Sequence, residues 1–198
     1  MVAWSIRGLS AGRLGGGAAE AAFCIAAQGI RKMKISTVEE ILSNPEMDRL
    51  IPNDRGFQAD FSEWRVMRGA LARYILRALE LEQRGVPEPE LVVNPDVRQV
   101  NLEHILPKSP REGEWTTFSD EDQRLFVHRL GNMALLQQGA NGRIGNKPWT
   151  IKRPILSASD LHLTQEAGLA MTWDADAIEK RQESMAALAV KAWPRRPR

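Results

Sequence analysis

The sequence holds one cysteine, Cys24, in 198 residues. A single thiol excludes an internal disulfide and any zinc site built from paired cysteines. It fits a reducing cytoplasm, which is the expected setting. No apolar run approaches the ~18 residues of a membrane-spanning helix. Residues 1–27 are fairly apolar and carry Arg7 and Arg13. Gly15-Gly16-Gly17 interrupts them, and no small-residue cleavage site follows a continuous apolar core, which argues against a signal peptide. The same glycine run is not followed by Lys and Ser/Thr, so it is not a phosphate-binding loop. The most informative absence is of acid. From Gln123 to Ser159 there is no Asp or Glu, although the chain has 25. That window holds Arg124, Arg129, Arg143, Lys147, Lys152 and Arg153. A net charge of +2 names no partner, but positive charge confined to one window suits a polyanion.

What is present suffices for a core, since 43% of the residues are apolar. The patterning is mainly helical. Residues 18–34 read as an alanine-rich helix. Thr37-Val38-Glu39-Glu40 has the form of a capping box and starts a short helix ending near Pro45. Residues 52–56 read as a loop. Trp64, Met67, Leu71, Tyr74, Ile75 and Leu79 recur at helical spacing and predict one helix over 60–84, started by Ser62 and stopped by Gly85. Arg65, Arg68, Arg73 and Arg77 on it read as a solvated face, diluted by Glu63, Glu80 and Glu82. Residues 86–95 are proline-rich. They mark the expected boundary between a helical N-terminal part, 1–90, and a second part, 91–198. Further helices are expected near 161–171 and 173–193, the last closing the second part. The abrupt N-terminus reads as a chain that starts inside a larger architecture.

The chain is organised around 101–152. Hydrolysing a phosphodiester needs a base for water, positive charge on the phosphate, and cations along the backbone. Glu103 and His104 are adjacent, so on a strand they point to opposite sides, and Pro107 is a plausible strand end. There a carboxylate can bind metal while the imidazole faces substrate. Leu130-Gly131-Asn132 reads as a turn into the apolar strand Leu135-Leu136, with Asn132 placed to bond backbone beside the histidine. Asn141 lies nine residues on and can begin a helix. The order is strand, strand, helix, with a polar residue on each.

The series E-H-I-L-P, L-G-N-x-x-L-L and N-x-x-x-x-N-K-x-W-x-x-K resembles the C-terminal nuclease domain of GmrSD-type restriction endonucleases, within the HNH, or His-Me finger, nucleases. The resemblance implies a mainly α fold with a small ββα-metal core embedded between helices. It implies a metal-dependent DNA endonuclease of a restriction or anti-phage system. His104 would be the general base and Asn132 would orient it. Glu103 would be a metal ligand, where the wider group usually has Asp or His. Asn141 would be the second ligand, with Asn146 its rival. Lys152 would contact phosphate, and Arg143 and Lys147 would hold the DNA backbone beside it. Mg²⁺ is the expected ion, with Mn²⁺ also suitable; zinc knuckles cannot form. The implied partners are DNA, phage or modified, and a nucleotide-hydrolysing ParB-like domain or subunit. Nothing in the chain resembles that domain, so the resemblance makes the chain half of a split system or a truncated remnant. The competing reading is a degenerate module that holds DNA or a partner without cutting. Among other residues, His128 reads as a helix-surface or supporting residue and His162 as packed or surface. Trp115, Trp149 and Trp173 read as core, and Cys24 as a small buried hydrophobe.

Overall fold

The computed structural model describes residues 2–12, 14–85 and 99–196. The proline-rich connector at 86–95 lies outside the described residues. The chain divides into Glu63–Leu188 and a second unit made of Met1–Ser62 with Ala189–Arg198. The two units meet at 62–63, and the boundary expected near residue 90 lies outside the described residues.

The second unit contains α1 (Val2–Ser5), a π-helical turn (Ile6–Ala11), α2 (Gly16–Arg31), α3 (Val38–Leu42), α4 (Pro45–Leu50) and α5 (Asp54–Ser62). α2 buries Ala19, Ala22 and Ala26 on one stripe, in a core with Met47, Leu50 and Ile51. Cys24 falls off that stripe and is exposed, not buried as expected. The Thr37 capping box forms in full, with Glu40 reaching back to the Thr37 N–H. Arg7 is fully buried and donates to Trp193 O, Pro52 O and Asp54 Oδ1 at 2.6, 3.0 and 2.6 Å.

In Glu63–Leu188 the elements are α6 (Gly69–Arg84), β1 (Val100–His104), α7 (Asp120–Phe126), a 3₁₀ turn (Leu130–Asn132), β2 (Met133–Gln137), α8 (Gln138–Ile144), α9 (Trp149–Ser157) and α10 (His162–Leu169). To these is added most of α11 (Ala175–Ala192). The helix predicted over 60–84 is two helices, and residues 52–56 are partly helical because α5 begins at Asp54. Ser62 ends α5 and does not start α6. Trp64 and Val66 are buried while Arg65 and Met67 are exposed, the alternation of an extended segment. That segment pairs its backbone outward: Val66 N donates to His128 O at 2.8 Å, and Arg65 bridges to Arg129. Gly85 stops α6 as expected, at φ 67°, where a side chain would be strained.

α6 belongs with the strands because of what it buries. Ala72, Ile75, Leu76 and Leu79 recur on one face, which lies on β1 and β2, and Arg73 donates to Val100 O. The buried Glu80 carboxylate accepts from His162 N and Leu163 N at 2.8 and 2.9 Å and so caps α10. Ile105, Leu106, Phe126, Leu136, Ile144 and Leu156 form the centre of the core. No described helix is long and apolar enough to cross a membrane.

Candidate active site

β1 and β2 pair antiparallel, with Glu103 opposite Ala134 and His104 opposite Met133. Neighbouring strand residues face opposite ways, so Glu103 turns into the protein, where it is 8% exposed. His104 lies on the other side, half-buried at the strand's end. β2 leads directly into α8, completing a strand–strand–helix order.

Asn132 holds the ends of this unit together. It has no exposed surface. Its Oδ1 accepts from Leu106 N at 2.7 Å and from Trp173 Nε1 at 3.1 Å. Its Nδ2 donates to Leu106 O at 3.0 Å and to Val127 O at 3.1 Å. One amide therefore ties the loop leaving His104 to the segment carrying His128. The turn around Asn132 is held from α11. Arg181 donates to Gly131 O, Met133 O and Leu163 O at 2.5, 2.9 and 2.9 Å, and Gln182 Oε1 accepts from Gly131 N at 3.0 Å. Complete burial pushes Arg181 down to about 10, which leaves it charged at neutral pH. Gly131 is required by proximity: a Cβ there would lie 2.2 Å from Ile178 O.

Lys152 is not where the sequence suggested. It has no exposed surface, so a DNA phosphate cannot reach it as expected. Its ammonium lies 2.5 Å from Glu103 Oε1 and 2.9 Å from His104 O, 5.7 Å from the centre of the Trp115 ring. Burial raises Glu103 and lowers Lys152, and their mutual attraction opposes both shifts. The pair braces β1 from within.

His104 Nε2 is buried without a hydrogen-bond partner. Its pKa is pushed down to about 4, first by burial and then by the charges of Lys108, His128 and Lys152. The imidazole is therefore neutral at pH 7, as a proton acceptor must be. The ring signal lost in His104→Ala should still be that of an unprotonated imidazole at pH 6 when followed by NMR. Titration of that signal near 6.5 would contradict the buried environment. A depressed folded pKa gives stability that is present above pH 6.5 and declines as pH falls toward 4.

The structure also sets His128 beside His104. His128 packs edge-on against His104, ring centres 5.8 Å apart, and its Nδ1 is likewise buried without a partner. Burial lowers its pKa first, then Lys108 and Arg65. Lys108 is exposed, on the loop after Pro107. The signals for both were faint: a histidine four residues before Asn132, and a lysine four after His104.

The remaining candidates are placed as follows. Asn146 donates its side-chain amide to Ser109 O at 3.0 Å, on the loop that follows His104. Asn141 lies in α8, but its side chain is outside the described residues. Arg143 and Lys147 are exposed, and Arg143 Nε donates to Gly139 O at 3.3 Å within its own helix. His162 is exposed at the start of α10, and Trp149 stacks on Trp173 at 5.0 Å. Among the described residues no three His, Cys, Asp or Glu side chains gather as a metal cluster. The described oxygen donor of the expected set that faces the interior is the Glu103 carboxylate. That donor fits a hard cation such as Mg²⁺, which retains waters and needs only one or two carboxylates besides a substrate phosphate. Here the Lys152 ammonium supplies the positive charge at Glu103, so a cation would have to share or take over that carboxylate.

The site so described is a neutral histidine at a strand end, on a strand–strand–helix unit of a mainly helical protein. Residues 51–188 match the family described as GmrSD restriction endonucleases, C-terminal domain, and the chain belongs to that family. No curated protein matches the chain.

Proposed function

We propose that the protein is a metal-dependent DNA endonuclease of the HNH, or His-Me finger, kind, acting in a restriction or anti-phage system in the cytoplasm. The observation that carries the reading is His104: a neutral imidazole with a partnerless buried nitrogen, set at the end of β1. In a family of restriction endonucleases, such a group takes a proton from water. The water oxygen bonds to phosphorus as its proton passes to His104, the P–O3′ bond breaks, O3′ takes a proton from solvent, and His104 then releases its own to solvent. A divalent ion, Mg²⁺ or Mn²⁺, bound by Glu103 with Asn141 or Asn146, would stabilise the charge that develops on the phosphate. Asn132 acts through His104, by fixing the loop at Leu106. Arg143 and Lys147 hold flanking phosphates without reading sequence. Phage or modified DNA is the proposed substrate, and a ParB-like, nucleotide-hydrolysing domain or subunit the proposed partner.

One observation favours a second reading. The Glu103 carboxylate is bound to Lys152, and a site whose carboxylate stays so engaged would hold DNA without cutting it. Plasmid nicking separates the two. The protein is stripped with chelator, and Mg²⁺, Mn²⁺, Ca²⁺ or Zn²⁺ is then added, with a DNA gel shift in parallel. Nicking that is lost with chelator and restored by Mg²⁺ or Mn²⁺ supports the endonuclease. Salt-sensitive binding with no cleavage in any metal replaces it by the binding module.

A further inference from the structure

We infer that His128 and Lys108 form the phosphate-binding side of this site, holding the DNA phosphate next to His104. The inference rests on the DNA substrate of the reading above and adds the residues that grip it, in place of the buried Lys152.

Three observations converge. The first is His128 Nδ1, which is buried without a protein partner. Buried polar atoms are nearly always satisfied, so an orphan beside a reactive group points to a bond made only with ligand. The second is rigidity. The backbone at His128 is held on both sides: Val127 O accepts from Asn132 Nδ2 at 3.1 Å, and His128 O accepts from Val66 N at 2.8 Å. Its ring rests edge-on against His104 at 5.8 Å. The backbone beneath the ring is thus fixed, and a phosphate reaches the covered Nδ1 only by a turn of the half-buried ring itself. The third is charge. The charged side chains felt at the two rings are Lys108, Lys152 and Arg65. Lys152 is buried against Glu103, and Arg65 donates to Arg124 O at 2.7 Å. Lys108 is the exposed ammonium of the three and acts on both rings. His128 with hydrogen on Nδ1 donates it to a non-bridging phosphate oxygen, and Lys108 supplies the countercharge.

The test is fluorescence anisotropy of a fluorescein-labelled DNA duplex with the full chain, in EDTA, titrated over a range of salt. Lys108→Gln should weaken binding about tenfold and reduce the slope of log Kd against log salt by about one. His128→Ala should weaken it by about tenfold. His128→Asn, whose amide nitrogen can take the place of Nδ1, should recover most of that loss. Thermal melts report whether the variants fold. Lys108 is on an exposed loop, so its salt slope decides the matter even if His128→Ala is unfolded. Wild-type affinity and slope in Lys108→Gln, or no DNA binding by the unmodified protein, overturns the inference. The expected binding pattern without nicking in any metal leaves it standing and removes the endonuclease reading instead.

Discussion

His104→Ala should reduce metal-dependent nicking by about 10³-fold, a general base ordinarily contributing 10²- to 10⁴-fold. The loss should lie in the rate at saturating DNA and not in affinity, because the imidazole acts on water and the phosphate grip is elsewhere. The fold should survive. His104 is half-buried at a strand end, its Nε2 makes no protein hydrogen bond, and the Asn132 clasp holds backbone two residues further on. Removing the ring leaves a small cavity against His128. Imidazole added to the buffer should enter it and restore part of the rate. Single-turnover nicking, with and without imidazole, measures both effects. A variant that cuts as fast as the parent removes His104 as the base.

Asn132→Ala should cost about 4 kcal/mol or more of folding stability. The change leaves Leu106 N, Leu106 O, Val127 O and Trp173 Nε1 without their partner in a site with no access to solvent. Each buried orphan costs roughly 1–3 kcal/mol, and partial relaxation keeps the total below their sum. Asn132→Asp should be no better. It keeps acceptors for Leu106 N and Trp173 Nε1, but it cannot donate to the two carbonyls and it buries a charge. Chemical denaturation measures both variants, and a loss under about 1 kcal/mol would show that the clasp is dispensable. Any folded fraction should nick slowly although His104 is untouched, because Leu106 and Val127 would no longer be held at one distance.

Much of this was legible in the sequence. The capping box at Thr37, the stop at Gly85, the turn at Leu130-Gly131-Asn132 and the strand after it depend on neighbours a few residues apart. Local spacing therefore reports them. The same is true of Glu103 and His104 pointing apart, which follows from strand geometry alone. The family was legible as well, because its motif is an ordered series of residue types.

Other features were decided by partners far along the chain. Trp64 and Met67 suit a helix by spacing, yet residues 64–68 are extended, because Val66 finds a backbone partner at His128, 62 residues on by numbering. Lys152 looks like a free cation in an acid-free window. Only the fold buries it against Glu103, 49 residues away. His128 looks like a helix-surface residue, and only the fold sets its ring against His104. The sequence by itself determined the family and the order of its motifs and local elements, since these are properties of residue type and local period. The tertiary structure alone decided which of the charged groups face solvent, because burial and pairing depend on contacts between segments that no local pattern records.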